Sequence, residues 1–135
     1  MLFQLDLTGS SVADVFEEFW KDQSVEEDVR GFAEQLVHGV LDHRTLLDGV
    51  VTASAEHWRI DRMAVVDRNV LRMGVYELVF EVDTPVVVVI DEAIEVAKKF
   101  GSVESGSFIN GVLDDVRRRR DGGELQDPGG GPASV

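Results

Sequence analysis

Apolar residues recur three and four positions apart along most of this chain, the period of a helix that buries one face. Val12, Val15, Phe16, Phe19 and Trp20 form one such stripe, with Ser10 or Ser11 placed to cap it. Phe32, Leu36, Val37, Val40 and Leu41 form a second, and Leu46, Leu47, Val50 and Val51 continue beyond His43-Arg44. Val65, Val66, Val70, Leu71, Val75 and Leu78 define a longer helix through the middle. Phe108, Ile109, Val112, Leu113 and Val116 define a last one, for which Ser105 or Ser107 is a suitable cap. Arg117 to Arg120 fall in its last turn, where cations meet the negative end of the helix dipole.

One segment pulls the other way. Val86 to Ile90 is β-branched throughout, and propensity alone favours a strand. A lone strand would have no partner, because nothing else in the chain reads as one. Pro85 suits the first turn of a helix, and Ile90, Ala93, Ile94, Ala97 and Phe100 continue as a helical stripe. The segment is therefore expected to be helical and the fold all-α.

The 135 residues suit one domain with one core. After Asp121 the composition turns to Gly and Pro, which predicts a helical domain over 1–121 and a disordered tail over 122–135. There are no cysteines, which removes disulfides, thiolate metal sites and cysteine nucleophiles. No apolar run reaches the ~18 residues of a membrane span, and the start lacks the basic region of a signal peptide. A soluble, cytoplasmic protein is expected. The net charge of −13 repels a phosphate backbone, and residues 1–50 alone hold 11 acids against 3 bases. Unaided affinity for RNA should be weak, whereas a basic protein would be attracted.

Three blocks give a sharper expectation. They are Val66-Asp67-Arg68-Asn69-Val70-Leu71-Arg72-Met73-Gly74-Val75-Tyr76-Glu77-Leu78, then Ile90-Asp91-Glu92-Ala93-Ile94-Glu95-Val96-Ala97-Lys98-Lys99-Phe100-Gly101 preceded by Pro85, and Phe108-Ile109-Asn110-Gly111-Val112-Leu113-Asp114. In order and spacing they resemble the NusB transcription antitermination family, with weaker similarity reaching back to Leu2-Phe3. The resemblance implies an all-α bundle of about six to seven helices in two packed three-helix units. It implies partners too: NusE, a small-subunit ribosomal protein, the box A element of ribosomal RNA transcripts, and the RNA polymerase antitermination complex. Monomer and homodimer are both compatible with it. The family's arginine-rich first helix leads into the segment matched by Leu2-Phe3, whereas the first basic residue here is Lys21. That helix is expected to be cut short, with the phosphate contacts of its arginines missing and part of its neighbours' apolar face uncovered.

By the same resemblance Phe108 is a candidate to stack on an unpaired base, the alternative being a core position beside Ile109. Glu104 and Asp67 match acids near the RNA, where carboxylates accept hydrogen bonds from base amino groups; otherwise they are solvated surface acids. Ser107 and Phe3 complete the expected RNA-binding set. Arg68 and Arg72, with Arg59 and Arg62 upstream, would be a phosphate patch or, for Arg72, half of an ion pair with Glu77 or Glu92. The Arg117–Arg120 run would serve dipole compensation or RNA attraction. Gly111 and Gly74 interrupt helical patterns, which suggests close helix approach at both.

Catalytic and metal readings find no support. His38 and His43 are spaced to lie on different helix faces with no third ligand. No serine sits in a nucleophile elbow, and Asp114-Asp115 reads as solvated surface. A non-enzymatic adaptor without cofactor or metal is the leading expectation. The alternatives are an accessory domain related to those of RNA cytosine methyltransferases and a module that binds protein only.

Overall fold

The computed structural model describes residues 2, 5, 6, 11–21, 26–55, 60–81 and 83–123, apart from the side chains of Asp61 and Val103. Among them are six α-helices: α1 Val12–Trp20, α2 Glu27–Asp42, α3 Arg44–Ser54, α4 Val65–Phe80, α5 Val86–Phe100 and α6 Val103–Asp121, with a 3-10 turn at Ile60–Arg62 before α4. The all-α expectation is borne out. Leu2, Leu5 and Asp6 are helical as well. Phe3 and the stretch from 124 onward, expected to be a tail, lie outside the described residues.

Helix α4 is the centre of the bundle. It buries Asn69, Val70, Leu71, Arg72, Gly74, Val75, Leu78 and Val79, which point to more than one side, as in a helix covered from several directions. Helices α5 and α6 pack on it and on each other to form one three-helix unit, while α2 and α3 also pack on α4 and α3 reaches α6. The main core runs from Val40, Leu47 and Val51 through Leu71, Val75 and Leu78 to Ile109, Leu113 and Val116. A second cluster joins α1 to α2 through Phe16, Trp20 and Val37.

Local chemistry sets the helix ends. Ser11 caps α1, its Oγ accepting from the Asp14 amide at 3.2 Å. Helix α5 starts at Pro85, whose fixed φ of −58° suits a helix entrance and whose carbonyl accepts from the Val88 and Val89 amides. The valine run is helical because it buries Val89, Ile90, Ala93 and Ala97 on one side, which outweighs the few tenths of a kcal/mol each β-branched residue loses in a helix. The cap of α6 is Ser102, not Ser105 or Ser107. Ser105 instead takes the third position of a capping box, each serine hydroxyl accepting from the other's amide.

Two glycines mark close contacts and one does not. A Cβ on Gly74 would lie 2.9 Å from Leu113 Cδ1, so α4 and α6 approach there as expected. Gly39 faces the Tyr76 ring, which a Cβ there would strike. Gly111 meets nothing within 4 Å; it faces solvent, and the close approach expected of it is absent. The stripe reading also placed Phe32 and Phe100 inward, but they are 57% and 63% exposed. Each sits at the edge of its stripe, where no described helix covers it.

Candidate nucleic-acid interface

Asp67 in the first turn of α4 meets the first turn of α6. Ser105 Oγ donates to Asp67 Oδ2 at 3.2 Å, while Asp67 Oδ1 is buried with no hydrogen-bond partner among the described residues. An unsatisfied buried acceptor costs on the order of 1–3 kcal/mol, so this oxygen is suited to a donor arriving from outside. The corner is tight: a Cβ on Gly101 would lie 2.7 Å from the Ala97 carbonyl and 3.4 Å from Asp67 Oδ1.

Glu104, Ser107 and Phe108 are three and four residues apart on α6 and share one face. Glu104 and Ser107 are exposed, and Phe108 is half-buried against the main core. Phe108 is thus packed against the core on one side and partly exposed on the other. Four of the five residues expected at an RNA site thus gather at the α4–α6 corner. Phe3 lies outside the described residues.

The arginines serve a different purpose. Arg68 donates to Asp6 through Nε at 2.6 Å and Nη2 at 2.9 Å. Arg72 grips Asp48 with two bonds of 2.7 and 3.1 Å and reaches Asp6 Oδ2 at 3.1 Å. The expected partners Glu77 and Glu92 are not used, because the Arg72 side chain, only 6% exposed, points into the bundle. The Arg68 hydrogen bond, with help from Asn69 and the Arg72 charge, pulls the Asp6 carboxyl down to about 2. A phosphate patch at Arg68 and Arg72 is thereby replaced by a structural ion network.

The run at the end of α6 is neutralised as well. Arg117 bonds Asp114 at 2.9 Å and Asp121 at 3.3 Å, and Arg119 bonds Asp115 at 2.8 Å. Arg118 lies 3.6 Å from Asp114. Arg119 and Arg120 also donate to the carbonyls of Ala53 and Leu78, near the ends of α3 and α4. Asp114 and Asp115 are thus ion-pair partners rather than idle surface acids, and the run closes helix ends more than it offers charge.

An apolar groove of about 610 Å³ is lined in part by Leu2, Leu36, Val37, Val66, Met73 and Phe100, beside the segment whose neighbours were expected to leave apolar surface uncovered. His38 sets its ring edge-on to Phe16 at 5.2 Å and His43 stacks 4.3 Å from Phe80, so each is held by an aromatic neighbour. Among the described residues no three His, Asp or Glu side chains form a metal-binding group, and no helix is long and apolar enough to cross a membrane.

Fold and corner together define a small, acidic, all-helical domain that presents a mixed polar and aromatic face at one helix junction. The chain belongs to the NusB family, whose model matches residues 1–118. It is 51% identical over 116 residues to the transcription antitermination protein NusB of Anaeromyxobacter dehalogenans, covering 85% of this chain and 81% of that one. Among solved structures, T. maritima NusB superposes with a TM-score of 0.82 at 35% identity, over 95% of this chain and 86% of that one. A chain from a crystal structure of the antitermination factors NusB and NusE with double-stranded RNA gives 0.79 at 29% identity, over 87% of each.

Proposed function

We propose that this protein is a transcription antitermination adaptor that binds NusE and, together with it, the box A element of ribosomal RNA transcripts. It would work in the cytoplasm, within the RNA polymerase antitermination complex, and catalyse no reaction. The observation that carries this reading is family membership across residues 1–118, supported by the relative solved with NusE and RNA.

The chemistry fits a division of labour. The net charge of −13 attracts a basic ribosomal protein and discourages RNA from binding alone. The arginines of α4 and α6 are occupied by Asp6, Asp48, Asp114, Asp115 and Asp121, so NusE supplies much of the positive charge. Asp67 and Glu104 would accept from base amino groups, which favours particular bases and disfavours misplaced phosphates. Ser107 would donate or accept, Phe108 would stack on an unpaired base, and Phe3 would extend that surface. Two modest contacts on one RNA then give joint affinity well above either alone.

The test measures RNA affinity of Glu104→Gln and Phe108→Leu with NusE saturating. Both should weaken box A binding several-fold and leave NusE affinity unchanged. Wild-type RNA affinity in both variants would remove the corner as the binding site. The rival reading, a protein-only module, draws on the neutralised arginines, and it predicts no box A binding even with NusE.

A further inference from the structure

The end of α5 carries a feature that the α4–α6 corner does not account for. Lys98 and Lys99 are exposed and, among the described residues, have no carboxylate partner. Lys21, Arg44 and Arg62 share that lack, whereas the arginines of α4 and α6 are all paired. Phe100 follows them at 63% exposure, and the Lys99 ammonium lies 5.4 Å from its ring centroid. The ring also lines the apolar groove, but core packing does not explain its place beside two unpaired cations.

The position ties this feature to the corner. Gly101, the next residue, is the one whose Cβ would lie 3.4 Å from the orphaned Asp67 Oδ1, and Glu104 lies four residues beyond Phe100. The Lys98 stem crosses Gly106, 3.1 Å from where a Cβ would be, which sets this lysine against α6 beside Ser107.

We propose that Lys98, Lys99 and Phe100 form a second RNA subsite, in which the ring stacks on one unpaired base and the lysines hold its flanking phosphates. It continues the surface of Asp67, Glu104 and Phe108, and so rests on the RNA-binding reading above. The occupant is single-stranded RNA because the pairing of a stacking ring with free cations matches a base and its phosphates. A basic protein would be repelled by the same lysines. The subsite also eases the charge problem, since it places two unpaired cations beside the corner.

The experiment titrates labelled single-stranded box A RNA with the full chain and saturating NusE across a range of salt. Phe100→Ala should weaken binding roughly tenfold, and Phe100→Leu should weaken it similarly, because it keeps apolar bulk at the groove while losing the π-face. Lys98→Gln with Lys99→Gln should flatten the slope of log affinity against log salt by about 1.4, the share of two phosphates on a single strand. Melting temperatures should stay near wild type, as all three side chains are exposed. Unchanged affinity and slope, with Glu104→Gln still impaired, would overturn the subsite and leave the corner standing. Loss of NusE binding by the lysine variant without RNA would overturn it in favour of a protein contact. Failure of the wild type to bind RNA would overturn it together with the reading beneath it.

Discussion

Replacing Asp6 with Asn should destabilise the fold at neutral pH and cost progressively less as the solution is acidified. Asp6 is 8% exposed and accepts from Arg68, Asn69 and Arg72. Its fall from 3.8 to about 2 corresponds, at ~1.4 kcal/mol per pH unit, to ~2.4 kcal/mol of preference for the ionised folded state. Water beside Arg68, whose side chain is 17% exposed, screens part of this and leaves ~1–2 kcal/mol. Arg72 is not stranded by the change, since Asp48 still holds it with two bonds. The folded pKa is the depressed one, so the contribution is complete above the ordinary carboxylate value and disappears as pH falls towards 2. Urea unfolding of wild type and Asp6→Asn at pH 7 should differ by ~1–2 kcal/mol with equal slopes. By about pH 3 roughly half of that difference should be gone. The same difference at both pH values, or one below ~0.5 kcal/mol at pH 7, would refute the electrostatic account and leave only packing.

Gly39→Ala should destabilise by ~1–3 kcal/mol because the new methyl must displace the Tyr76 ring, whereas Gly111→Ala, facing open space, should stabilise by ~0.5–1 kcal/mol; paired thermal melts read both. Burial, with Glu92 and Glu81 nearby, pushes the Glu77 carboxyl up, so stability is lost as pH rises through that raised value. Glu77→Gln should therefore be more stable than wild type at pH 7 and gain nothing at about pH 4. Arg120→Met removes the bond to the Leu78 carbonyl and should cost ~1 kcal/mol by denaturant titration.

The helices were legible in the sequence because their evidence is local. The Ser11 cap, the proline at the head of α5 and the stripe of α4 each lie within a few residues of the effect they produce. The Asp6–Arg68–Arg72–Asp48 network was not, since its ion pairs span 24 to 66 residues and spacing along a helix offers only neighbours such as Glu77. The cap of α6 was misplaced for a related reason. Ser102, Ser105 and Ser107 all suit a cap by residue type, and only the backbone geometry selects Ser102. The candidate corner was reached through resemblance, and what the structure adds is the contact of Asp67 with Ser105 across 38 residues and the orphaned oxygen beside it. Lys98 and Lys99 lie in the last turn of α5, and spacing alone does not tell which basic side chains find an acid in the folded chain.

The central claim is that this acidic domain binds RNA jointly with a basic protein. Fluorescence anisotropy of labelled box A RNA, titrated with the chain alone and with NusE at two salt concentrations, tests it most directly. The account predicts weak binding by the chain alone and tight, salt-sensitive binding when NusE is present. No RNA binding in either case, with NusE still associating, would contradict it and leave a protein-interaction module.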